Sequence, residues 1–247
     1  MHKVNYDKIS EIYDTVRSGD LEVITYILDN KLLDRRSRVL EIGCGSGNNT
    51  VLMSAATEAE IYGLDQSRGM LDKAEKKSGR IHFMQGDAVT LAGIENESFD
   101  AVYMVDVIHH IRDIAAMFSN IYRVLKKYGM VFVFTDTHEK IRNERLTSKY
   151  FPETVEVELM RYQPTEQIFA VMKACGFSNV KLERLKCEEQ LNMGEYLIKV
   201  AEAKGYSMFH LIPDEAIERG IQRIRQAMED GPLSYTPNTP VFSGVKK

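Results

Sequence analysis

The chain reads as an α/β protein built on a doubly wound sheet. From Arg38 to Thr135, short apolar runs of strand length alternate with segments of helical periodicity. The runs are nearly continuous in their apolar residues, as in parallel strands covered by helices on both faces. A glycine-rich turn follows the first run, where such folds place a ligand loop.

Strands are expected over residues 39–42, 61–64, 81–84, 101–105 and 131–134. Helices are expected between them over 50–56, 69–77 and 114–127. In the last of these Ile114, Met117, Phe118, Ile121 and Leu125 form one apolar stripe. Further on, Pro164 opens a helix over 165–175 that Gly176 ends. A strand over 180–186 and a helix over 193–204 follow. Another helix begins near Pro213, carries Ile217, Ile221, Ile224 and Met228 on one face, and stops at Gly231 and Pro232. Residues 241–245 form a last strand. No linker-like composition separates these parts, so residues 1–247 read as a single domain.

Composition narrows the function classes. Of 247 residues, 44% are hydrophobic and 28% charged, which excludes a disordered chain. A net charge of −4 gives no footprint for nucleic acid or an anionic membrane. The three cysteines, Cys44, Cys175 and Cys187, lack CxxC spacing, so reduced thiols are expected rather than a disulfide frame or a metal site. The start carries no apolar stretch of signal-peptide length, and the longest apolar run, 130–134, is too short for a bilayer. A cytoplasmic protein without membrane contact is the expectation; monomer or homodimer stays open.

The chemistry-bearing stretch is VLEIGCGSG, residues 39–47. Glycine permits positive φ and close approach of backbone to ligand, and the turn's amides with the following helix N-terminus would face that ligand. Alone, the pattern also suits a nicotinamide or flavin cofactor, or a tight turn with no ligand. Three neighbours sharpen it. Asn48 stands where the dinucleotide fingerprint has its third glycine, which falls at Gly47 instead. Glu41, just before the turn, disfavours a pyrophosphate and suits a cationic ligand. Asp65 ends the second strand, where a carboxylate accepts from ribose hydroxyls. A ligand with a ribose and positive charge, without phosphates, is implied.

This stretch resembles motif I of class I S-adenosylmethionine-dependent methyltransferases. The resemblance extends through LDQSRGMLDKA (64–74), QGDA (85–88), FDAVYMVDVIHHI (99–111) and RVLKKYGMVFVF (123–134), in family order and spacing. It implies a Rossmann-like seven-stranded sheet, mostly parallel with an antiparallel last strand. It also implies S-adenosyl-L-methionine as cofactor and S-adenosyl-L-homocysteine as product. Gly43, Gly45 and Gly47 would wrap the amino-acid end of the cofactor. Asp65 would hold the ribose, with Gln66 and Met70 beside the adenine; Asp87 and the Ala88 amide would meet its amino group and a ring nitrogen. Val105 would contribute backbone, and Tyr6 and Tyr13 would cover the cofactor or simply pack a first helix. Tyr128 departs from the family, which usually has glycine there.

Residues 1–135 are thus expected to bind cofactor, with residues 136–163 and 187–240 as helical insertions capping the active site. A capped pocket favours a small-molecule acceptor. His109 and His110 sit where a base could reach it, or they pack a helix start. Asp136, Thr137 and His138 form a second cluster. Lys140, Arg142, Arg145 and Lys149 read as a solvated helix face or as a greeting for an acidic substrate. Methyl transfer to a small molecule by in-line displacement is the expected activity. The alternatives are a nucleic-acid or protein methyltransferase, a non-catalytic cofactor-binding partner subunit, and a nicotinamide dehydrogenase. An (N/D)PPY-type turn, common in base-amino methylation, is replaced here by Val105-Asp106-Val107-Ile108.

Overall fold

A computed structural model describes residues 19–247. Seven strands form one sheet: β1 Arg38–Ile42, β2 Glu60–Asp65, β3 His82–Gln85, β4 Phe99–Val105, β5 Leu125–Phe134, β6 Ser178–Lys186 and β7 Asn238–Val245. Their order is β3-β2-β1-β4-β5-β7-β6. The first five run parallel, while β7 is antiparallel to both β5 and β6. The expected mostly parallel sheet with an antiparallel last strand is therefore present. Strand order reverses between β1 and β4, so a crevice opens at their carboxyl ends.

Alternation along the strands divides the core into two faces. Leu40, Ile42, Val102, Met104, Val131 and Val133 point to one side, against α4 (Ile114–Val124) and α8 (Thr165–Ala174). Val39, Ala101, Tyr103, Phe132 and Phe134 point to the other, against α1 (Leu21–Asn30) and α2 (Asn48–Ala56). The stripe foreseen on α4 is buried as Ile114, Met117, Phe118 and Ile121. That helix stops at Val124, three residues before its expected end. Leu125 instead pairs with Phe99, and Lys126 bonds the Asp100 carboxylate at 2.7 Å, drawing the chain into β5. Tyr128 takes φ +64° within β5, beside Gly129.

α3 (Arg68–Lys77) packs beside β2 and β3, and five more helices follow β5 or β6: α5 (His138–Asn143), α6 (Leu146–Tyr150), α7 (Glu153–Leu159), α9 (Met193–Glu202) and α10 (Asp214–Met228). Tyr150, Phe151, Leu197, Val200, Phe209, Ile217, Ile221 and Ile224 join these segments in a third apolar cluster. Gly220 on α10 lets Phe151 sit close: a Cβ there would fall 2.0 Å from the ring. Residues from the segment after β5 and the segment after β6, here the cap, thus share an apolar core of their own. Among the described residues no helix is long and apolar enough to cross a membrane.

Candidate active site

The loops leaving β1, β2, β3 and β4 border one cavity of about 960 Å³, whose other wall belongs to the cap. At the sheet end, Gly43, Gly45 and Gly47 have φ of +70°, +54° and +82°. These values explain why the turn needs glycine. The Asp65 carboxylate braces the turn, accepting from the Gly45 amide at 2.8 Å and from the Ser67 amide at 2.8 Å. Ser67 in turn caps α3, its hydroxyl accepting from the Met70 amide at 3.1 Å.

The turn's amides do not form the donor nest expected from sequence. Gly43 and Cys44 both donate to the Leu64 carbonyl, at 2.7 and 3.1 Å, and Gly47 donates to Cys44 at 2.9 Å. With Gly45 on Asp65, these four N–H groups are spent inside the protein. A bound diphosphate relies on such groups; a ligand packed against bare Cα surface does not.

Most sequence-predicted residues meet at this cavity. Gly43, Gly45, Asp65, Gln66 and Met70 border it on the β1 and β2 side, and Asp87, Ala88 and Val105 border it beyond β3 and β4. His109 and His110 line it too, in the 3-10 turn after β4. Gly47 does not; a Cβ on it would meet Ala74 at 3.0 Å and Phe83 at 3.1 Å, so its place is one of packing where α2 begins. Nor does Glu41. Alternation along β1 turns it to the Val39 side, where it is 2% exposed. There it accepts from Thr50 at 2.5 Å and Tyr103 at 2.9 Å. Burial pushes its carboxyl up to about 8, against the pull of those two hydroxyls. Tyr6 and Tyr13 lie outside the described residues.

The cap end contains residues that sequence reasoning missed. Tyr162 stacks on His109 with ring centroids 4.2 Å apart and planes 11° off parallel. Its hydroxyl accepts from Arg145 at 2.9 Å, and burial raises its pKa well above the usual phenol value, so it stays protonated. Arg145 also reaches Asp136 and, at 2.7 Å, Glu158. Lys140 lies 2.7 Å from Asp136. Burial pushes the Asp136 carboxyl up, but Arg145 and Lys140 outweigh it and hold it below its ordinary value. Arg161 bonds Glu158 at 2.7 Å and Ser207 at 3.1 Å. The basic run is therefore a solvated face only in part: Lys140 and Arg145 are held in ion pairs at 7% and 12% side-chain exposure, whereas Arg142 and Lys149 are exposed.

Comparison with known proteins gives the following. Residues 40–133 match a family described as "Methyltransferase domain". Phosphoethanolamine N-methyltransferase 1 of Arabidopsis thaliana is 27% identical over 172 residues, which are 68% of this chain and 34% of that protein. The chain thus spans about a third of that relative's length. Among solved structures, a methyltransferase from an antibiotic biosynthesis pathway of Anabaena variabilis ATCC 29413 has a TM-score of 0.74 at 18% identity, covering 93% of this chain and 98% of that one. Phosphoethanolamine N-methyltransferase 2 of Haemonchus contortus, solved with phosphomonomethylethanolamine and S-adenosylhomocysteine, has a TM-score of 0.65 at 23% identity. That match covers 99% of this chain and 60% of that one.

Proposed function

We propose that the chain, whose residues 40–133 match a methyltransferase-domain family on a fold shared with solved methyltransferases, transfers the methyl group of S-adenosylmethionine to a small molecule by in-line displacement. One observation carries the reading: a single cavity runs from Gly43, Asp65 and Asp87 to the cap residues Tyr162 and Tyr206. Donor and acceptor can share it.

The residues at the sheet end fit the cofactor. Asp65 is anchored by two amides and lines the cavity, where a carboxylate suits a ribose diol, and Gly43 and Gly45 offer a surface without side chains. Asp87 lies where the adenine amino group is expected, its carboxylate fixed by the Val89 amide at 2.6 Å. The spent amides of the turn disfavour NAD. When bound, the cofactor supplies a methyl group already activated by a sulfonium. The protein's task is then alignment and exclusion of water, worth up to about 7–11 kcal/mol in ideal geometry. The cap does the excluding. His109, buried and stacked on Tyr162, shapes the wall; His110, exposed at the cavity edge, is placed to take a proton from an acceptor that arrives protonated.

Calorimetric titration tests the cofactor assignment. S-adenosylmethionine and S-adenosylhomocysteine should bind and NAD should not. Asp65→Asn should weaken the adenosyl compounds at least tenfold, or about 1.4 kcal/mol. No affinity for either compound, or an unaltered Asp65→Asn variant, would overturn the assignment. Turnover is read separately, as S-adenosylhomocysteine formed when a small-metabolite extract is added; its absence in a binding-competent protein would favour the non-catalytic subunit.

A further inference from the structure

Five ionisable side chains meet where the cap closes over the sheet: Asp136, Lys140, Arg145, Glu158 and Arg161. None of them is more than 14% exposed. Lys140 and Arg145 take the two oxygens of Asp136, and Arg145 and Arg161 take the two oxygens of Glu158. Three cations therefore share two carboxylates. Arg112 and Asp106 border the same cavity and add one charge of each sign, so the count stays at one positive charge in excess. A buried charge without a counter-charge is costly, so the arrangement calls for an anion.

The excess is presented at Arg161. Arg145 has Nε, Nη1 and Nη2 engaged by Asp136, Glu158 and Tyr162. Arg161 uses Nη1 on Glu158 and Nη2 on Ser207, with Nδ1 of His110 a further 3.4 Å contact. Its Nε–H meets no acceptor among the described residues. The carboxylates of Asp65 and Asp87 stand at the opposite, cofactor end of the cavity. Charge is thus sorted along the cavity, negative toward the donor and positive toward the cap.

We propose that the acceptor carries an oxyanionic group, a phosphate monoester or a carboxylate, which Arg161 receives at the capped end. This rests on the cavity taking an acceptor beside the adenosyl cofactor. Guanidinium suits either group through paired donors. Removing Arg161 leaves two cations on two carboxylates, with Glu158 still held by Arg145, so the variant should fold.

The probes are inorganic phosphate and acetate, titrated at constant ionic strength into the protein with and without S-adenosylhomocysteine. At least one should bind one to one. Arg161→Gln should weaken that binding tenfold or more, Arg161→Lys by less, and neither should change affinity for S-adenosylhomocysteine. Preference for phosphate identifies a phosphate monoester; preference for acetate identifies a carboxylate. Should Arg161→Gln fail to fold, the loss in Arg161→Lys decides. Failure of both anions to bind, or equal affinity in wild type and variants, would overturn the proposal. Anion binding through Arg161 without S-adenosylhomocysteine binding would support it while removing the cofactor reading.

Discussion

Glu41 shows how one residue's strand parity decides its chemistry. Its place before the glycine turn suggests a carboxylate for a cationic ligand, yet it faces α2 and keeps its proton near neutrality because burial disfavours the charged form. The unfolded chain, with an ordinary carboxyl, has lost that proton above about pH 4.5. Folding therefore takes up a proton between about pH 4.5 and 8. This stability is fully present at the acid end and falls by about 1.4 kcal/mol per pH unit as pH rises through that window. Glu41→Gln keeps the shape and the acceptor without titrating. Its denaturant stability relative to wild type should improve steadily from pH 5 to pH 8. Parallel pH profiles for the two proteins would mean that Glu41 does not titrate in this way.

Among the elements, β5 stores a local strain. Tyr128 holds φ +64° in a region where a non-glycine residue costs about 1–3 kcal/mol. Glycine removes that cost but adds about 0.4–1 kcal/mol of unfolded-state entropy. Tyr128→Gly should therefore raise the melting temperature by roughly 2–4 °C per kcal/mol of net gain; a lower melting temperature would refute the strain. The same element marks where sequence reading succeeds and fails. All seven strands were legible because apolar runs of that length between helices have few other readings. The end of α4 was not, because Leu125 continues the apolar stripe of the helix while pairing with Phe99 in the sheet. The short cap helices α5, α6 and α7 span 6, 5 and 7 residues, too few turns to display a 3.6-residue period. Hence much of the lining near the glycine turn could be read from local motifs, Glu41 and Gly47 excepted, whereas Arg161, Tyr162 and Glu158 take their places from partners in other segments. The positive φ of the glycine turn follows from its residues, but the spending of its amides on Leu64, Asp65 and Cys44 is fixed only by the folded chain.

Across the whole molecule, two apolar clusters sandwich the sheet and a third belongs to the cap. The cap joins the sheet through Asp136, which follows β5 and pairs with Arg145 and Lys140. Separate cores imply separate opening. In native-state hydrogen exchange, amides of β1, β4 and β5 should be the slowest, and those of α9 and α10 measurably faster. Saturating S-adenosylhomocysteine together with phosphate should slow α9 and α10 exchange; one uniform rate for sheet and cap, unchanged by ligand, would count against a cap of independent stability. Under the proposed function, the grip on the donor belongs to turns between parallel strands, and the acceptor's chamber to the two stretches that follow β5 and β6. Changes confined to those stretches can admit a different molecule without disturbing the methyl supply, so one lineage can alter its diet while keeping its engine.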